Sequence, residues 1–164
     1  MIYRLAREED LEAVWSLIEA AVQAMEQQQI FQWDCRYPTR EDFLRDIRNR
    51  HLYVGVAEDG IALVYALNQE SDGQYANGAW RYPDSAYRVL HRFCVHPRYQ
   101  HQGVGKAALL HLEDELRQAE VETVRLDVFS QNPFALALYR RQGYAPVGFA
   151  DWRKGRFFLM EKRL

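Results

Sequence analysis

The sequence predicts one mixed α/β domain covering residues 1–164. Three observations carry that class. Apolar residues at helical spacing alternate with extended apolar runs, which calls for both helices and strands. The second half runs strand, helix, strand, the order of a mixed sheet with helical crossovers. Hydrophobic residues make up 48% of the 164, enough to build a substantial core.

The elements follow in order. "MIYRLA" reads as a short strand. In "REEDLEAVWSLIEAAVQAMEQQQI", Leu11, Val14, Trp15, Ile18, Val22 and Met25 recur at helical spacing. "PTREDFLRDIRN" starts a second helix, with Thr39 as N-cap and Asp42 three residues on as a shortened capping box. "HLYVGVAEDGIALVYALNQ" is a hairpin turning at Glu58-Asp59-Gly60. Residues 69–84 are rich in turn formers and read as a long loop carrying Tyr75, Trp80 and Tyr82. "SAYRVLHRFCV" is a strand stopped at His96-Pro97, because proline cannot donate to a ladder. "GKAALLHLEDELRQAE" is helical, with Ala107, Leu109, Leu110, Leu112 and Leu116 as its expected apolar face. "VETVRLDVFS" is a strand. Asn132-Pro133 opens the helix "PFALALYRRQ", which Gly143 stops. "YAPVGFAD" and "GRFFLMEKRL" close the chain as two strands.

Charge and cysteine content narrow the function. Acidic residues number 23 and basic ones 21, so the bias of a general nucleic-acid binder is missing. Cys35 and Cys94 provide neither a disulfide framework nor zinc spacing. No apolar run approaches the ~20 residues of a membrane helix. The N-terminus is charged by its fourth residue, and no secretory signal is expected there. A cytoplasmic protein with no nucleic-acid or membrane partner is therefore expected. His91, His96, His101 and His111 lack ligand spacing, and no metal is expected.

"QHQGVGK", residues 100–106, holds the most chemistry. A glycine-bearing loop between a strand and a helix points backbone N–H groups outward, and the helix dipole adds positive character there. Glycine keeps a Cβ from holding a phosphate away from the backbone. The spacing is neither that of a P-loop nor that of a dinucleotide fingerprint.

With its surroundings, "VHPRYQHQGVGKAALLHLEDE" resembles the acetyl-CoA-binding motif of the GNAT superfamily of N-acetyltransferases. The motif maps onto Gln100, Gly103 and Gly105. "RLDVFSQNPFALALYRRQGYAPVG" is similar to the second family motif, with Asn132, Ala135, Leu138, Tyr139 and Gly143-Tyr144 in place. Glutamine at 100 replaces the more basic arginine, which removes one positive charge and leaves the amide cradle.

The resemblance implies a mostly antiparallel sheet, splayed at the cofactor site, with helices on both faces. It implies acetyl-CoA as cofactor and direct acetyl transfer to the primary amine of a small molecule, amino acid or peptide. Pantetheine would lie along Phe93, Cys94 and Val95. The diphosphate would lie on the loop formed by Gln100, His101, Gln102, Gly103, Val104, Gly105 and Lys106. Asn132 would bond pantetheine as well as cap its helix. Tyr139 would protonate the departing thiolate, a match of comparable basicities, and backbone N–H near Val95 would stabilise the oxyanion.

The general base stays open among His91, Asp127 (which faces His91 or pairs with Arg92), Glu58 and a water chain. For the acceptor, Trp33, Tyr37, Trp80 and Tyr82 would form an aromatic wall, with Asp34 attracting an ammonium group. A homodimer is compatible with such a domain. The alternative from another class is a non-catalytic acyl-CoA-binding module on the same fold.

Overall fold

The computed structural model describes residues 1–164. Strands β1 (Ile2–Leu5), β2 (Leu52–Ala57), β3 (Gly60–Asn68), β4 (Tyr87–Val95), β5 (Thr123–Phe129), β6 (Ala145–Trp152) and β7 (Gly155–Arg163) form one seven-stranded sheet. Their order is β1-β2-β3-β4-β5-β7-β6. Pairing is antiparallel in β1–β2, β2–β3, β5–β7 and β6–β7, and parallel in β4–β5. Four helices join them: α1 (Leu11–Gln27), α2 (Arg40–Arg48), α3 (Val104–Gln118) and α4 (Pro133–Arg141). No helix is long and apolar enough to cross a membrane.

The chain divides into two compact units, Met1–Leu67 with Arg92–Gly105, and Asn68–His91 with Lys106–Leu164. In the first, α1 buries Val14, Leu17, Ile18 and Ala21, and α2 buries Phe43 and Ile47. They pack on Leu52, Val54, Val64 and Ala66 of the hairpin. A 3-10 turn, Glu8–Asp10, precedes α1, and Asp10 there accepts from Arg4 at 2.7 and 2.9 Å and from Arg7 N at 2.7 Å. Thr39 caps α2 as expected: its hydroxyl accepts from Asp42 N, and the Asp42 carboxylate accepts from Thr39 N at 2.8 Å.

In the second unit α3 buries Ala108, Leu109, Leu112, Glu113 and Leu116. This corrects the expected face. Positions i, i+3 and i+4 share a face, so the stripe running through 109, 112 and 116 takes in 108 and 113, leaving Ala107 and Leu110 exposed. Glu113 is tolerated inside because it accepts from the Tyr144 hydroxyl at 3.0 Å and pairs with Lys162 at 2.5 Å. Burial and the adjacent Glu113 push the Tyr144 phenol well above its ordinary range.

Residues 69–84 are more ordered than a loop. A 3-10 turn at Gly73–Asn77 lies against β6. There the Gln74 amide donates to Asp151 O at 2.7 Å and accepts from Asp151 N at 2.9 Å, while Ala79 N donates to Val147 O at 2.7 Å. The approach is so close that a Cβ on Gly148 would stand 2.8 Å from Asn77 O.

All four helices end alike. The N–H of Ile30, His51, Val121 and Tyr144 returns to the carbonyl five residues back, across left-handed Gln29, Arg50, Glu120 and Gly143.

Candidate functional site

The glycine loop is built from its two ends. His96 N donates to Ala62 O at 2.8 Å where β4 stops, and Pro97–Tyr99 make a 3-10 turn. Asp59 of the hairpin turn bonds both the Arg98 guanidinium and the Tyr99 hydroxyl. Gln100 Nε2 donates to Val95 O at 3.0 Å, and Gln102 Nε2 to Arg98 O at 2.8 Å, so two glutamines pin the loop.

His101 and Gly103 take left-handed angles, φ 59° and 78°, and α3 begins at Val104. A Cβ added at Gly103 would meet nothing within 4 Å: the glycine serves the backbone angle and keeps the approach open. A pinned, exposed loop at the start of a 15-residue helix suits an anion, and the diphosphate of CoA fits this chemistry. Lys106 is exposed. Gln100 acts here as a brace on Val95.

Along β4, the parallel ladder with β5 runs from Tyr87↔Thr123 to Leu90↔Leu126, although β4 continues to Val95. Arg92, two residues on, has φ 50°. Its guanidinium pairs with Asp46 of α2 and donates to the Tyr37 hydroxyl at 2.9 Å. Burial pushes the Asp46 carboxyl up, with Arg92 opposing the shift. Of the two alternatives for Asp127, facing His91 or pairing with Arg92, the second is set aside, because the guanidinium pairs with Asp46. Phe93 stacks on Tyr65 with centroids 6.1 Å apart. Cys94 turns its side chain into the first unit's core, where burial pushes the thiol up to about 12. Any cofactor contact at 94 belongs to the main chain.

In the second unit, His91 Nε2 lies 2.8 Å from Asn68 Oδ1 and 3.0 Å from Glu70 O. A carbonyl only accepts, so Nε2 carries the proton and Nδ1 is the basic atom of the neutral ring. Asp127 accepts from the Tyr75 hydroxyl at 2.7 Å. Asp72, Tyr75, Trp80, Tyr87, Val89 and Arg125 line an open cavity of about 320 Å³. Arg125 lies 4.6 and 4.1 Å from the Trp80 and Tyr87 ring centroids. Tyr139 of α4 is 7% exposed and meets Tyr144 edge-on at 5.6 Å. Asn132 caps α4, its Oδ1 accepting from Ala135 N at 3.1 Å.

The expected acceptor residues divide. Trp33 is buried in the first unit's core. Asp34 Oδ1 accepts from Arg36 N at 3.0 Å in a local turn, and Tyr37 is exposed with its hydroxyl on Arg92. Trp80 lines the cavity and donates to Tyr75 O at 2.8 Å, while Tyr82 lies under Arg163 at 5.1 Å. Glu58 is exposed in its turn. Sequence reasoning missed Tyr75 as Asp127's partner and Asp46 as Arg92's. Both contacts are long-range, and no local spacing signals them.

A family model described as "Acetyltransferase (GNAT) family" matches residues 11–144. The "[Ribosomal protein bS18]-alanine N-acetyltransferase" of Escherichia coli (strain K12) is 45% identical over 56 residues, 34% of this chain. The chain spans 38% of the length of that relative. The "N-alpha-acetyltransferase RimI" of Mycobacterium tuberculosis is 36% identical over 121 residues, 73% of this chain and 68% of that protein. The crystal structure of the PaiA N-acetyltransferase from Thermoplasma acidophilum, in complex with coenzyme A, shares the fold. Its TM-score is 0.71 at 21% identity, covering 99% of this chain and 98% of the other.

Proposed function

Because the chain belongs to the acetyltransferase (GNAT) family, we propose that it transfers the acetyl group of acetyl-CoA to a primary amine by direct attack in a ternary complex. The observation that carries the reading is the pinned glycine loop, with left-handed Gly103 open at the start of α3.

Acetyl-CoA supplies the acetyl group as an activated thioester. The amides from Gln102 to Lys106 hold its diphosphate, and the Phe93–Val95 main chain aligns its pantetheine. Backbone N–H near Val95 stabilises negative charge on the attacked carbonyl oxygen. Asp127 or His91 Nδ1, directly or through water, removes the proton that makes the ammonium unreactive. Tyr139 returns a proton to the sulfur. Relatives point to two kinds of acceptor: a peptide α-amine, since one acts on the alanine of a ribosomal protein and another is an N-alpha-acetyltransferase, and a polyamine, since a third is the Spermine/spermidine N(1)-acetyltransferase of Bacillus subtilis.

Incubation of the purified protein with acetyl-CoA and a panel of N-terminally unblocked peptides, polyamines and amino acids tests this. Mass spectrometry should find one added acetyl group on a primary amine of one of these acceptors. CoA binding without transfer to any amine would leave a binding module instead.

A further inference from the structure

Five residues other than glycine adopt a left-handed backbone: Gln29, Arg50, Arg92, His101 and Glu120. Gln29, Arg50 and Glu120 close helices, where that conformation completes the cap. His101 belongs to the glycine loop. Arg92 alone of the five stands inside a strand. There its Cβ makes the left-handed angle costly, so surrounding structure has to impose it.

The guanidinium is what the surroundings hold. It pairs with Asp46, donates to the Tyr37 hydroxyl at 2.9 Å, and lies 5.9 Å from the centre of the Phe43 ring. The two paired side chains are 10% and 5% exposed. Neither can swing away without leaving a buried charge unpaired, which is strongly unfavourable.

We propose that the Arg92–Asp46 pair, steadied by Tyr37, keeps β4 in its left-handed step at residue 92 and so sets the main-chain path of Phe93–Val95. Arg92 is then a positioning residue for acetyl-CoA, acting through the backbone that follows it. The inference rests on the reading that this backbone receives the pantetheine.

A pair that merely stabilised the core would be indifferent to the backbone angle at 92. A pair that holds a strained step predicts a reversal. Glycine inside a strand is ordinarily worse than alanine. At position 92 glycine should be better, because it takes the left-handed angle without a steric penalty.

The experiment measures CoA affinity by calorimetry and amide hydrogen exchange at Phe93–Val95 in the ligand-free protein. The variants are Asp46→Asn, Tyr37→Phe, Arg92→Ala/Asp46→Asn and Arg92→Gly/Asp46→Asn. Asparagine at 46 spares both double variants an orphaned carboxylate. Asp46→Asn should weaken CoA binding about tenfold, within the coupling found inside one salt-bridge network, and speed exchange. Tyr37→Phe, at an exposed site that leaves folding intact, should cost about threefold, one hydrogen bond's worth. The glycine double variant should bind CoA more tightly, and exchange more slowly, than the alanine one.

Glycine equal to or worse than alanine, or Asp46→Asn with unchanged affinity and exchange, overturns the inference. If the double variants do not fold, the Asp46→Asn and Tyr37→Phe results decide. Unaltered wild-type CoA binding with unresponsive variants sinks this inference alone. A wild type that does not bind CoA sinks the parent reading, and this one with it.

Discussion

Tyr75 donates its hydroxyl to Asp127 at 2.7 Å, tying the segment after β3 to the middle of β5. Tyr75 is itself 6% exposed and stacked on Trp80 at 5.6 Å, so the donor is fixed before any ligand arrives. In that bond the phenol donates and the Asp127 carboxylate accepts.

On the reading that Asp127 is the proton acceptor, and His91, anchored through Nε2, is not, the two candidates separate by substitution. Asp127→Asn should lower kcat about 10²-fold, the usual contribution of a general base. His91→Gln should change kcat far less. Steady-state kinetics at saturating acetyl-CoA checks this, and the reverse order would assign the base to His91.

Gly103→Glu should abolish CoA binding by filling the open approach with a carboxylate. The left-handed angle adds about 1–2 kcal/mol of strain, a small shift in thermal midpoint. Calorimetry and a melting curve separate the two effects. CoA affinity equal to wild type would remove the loop from the site.

Tyr139→Phe should cut kcat while leaving the KM for acetyl-CoA near its wild-type value. In the proposed mechanism the hydroxyl acts on the leaving group, so its loss should show in kcat. An unchanged kcat would withdraw its acid role.

The two cysteines should differ sharply toward alkylation. The thiolate is the reactive form; Cys94 is buried with its thiol pushed up to about 12, whereas Cys35 is exposed. Iodoacetamide at pH 8 on the folded protein should add one group, at Cys35. Mass spectrometry reads the count and the position.

The Arg4 guanidinium, aided by Arg7 N, holds the Asp10 carboxyl below its ordinary value. A depressed folded pKa means stability that is present above the unfolded value and lost as pH falls through the folded one. Asp10→Asn should therefore cost about 1.5–3 kcal/mol at pH 7, as for hydrogen bonds to charged groups. The gap from wild type should begin to narrow as pH falls below about 4 and close only once pH is below the depressed folded value. Urea unfolding across pH 2–7 measures it.

Where local chemistry decides the structure, the sequence was readable. Thr39 with Asp42, Asn132 with Pro133, and the turn before Gly60 each mark an element end that the structure places there. The glycine loop was readable for the same reason. The 73–77 turn was not, because its order comes from pairing with Asp151 and Val147, some seventy residues away. The face of α3 was misjudged because a buried glutamate looks polar until Lys162 and Tyr144 are seen beside it. Helix ends at Gln29, Arg50 and Glu120 carry no glycine to announce them.

The segment across β6 bears on how this chain meets others. β6 is an outer strand of the sheet, the kind of border onto which a foreign strand can zip. Here Gln74 already answers both main-chain groups of Asp151, and Ala79 answers Val147. A visitor pairing at those residues would have to break three bonds before making its first. The molecule carries its own selvedge on that side, and self-association by strand addition is turned away from β6.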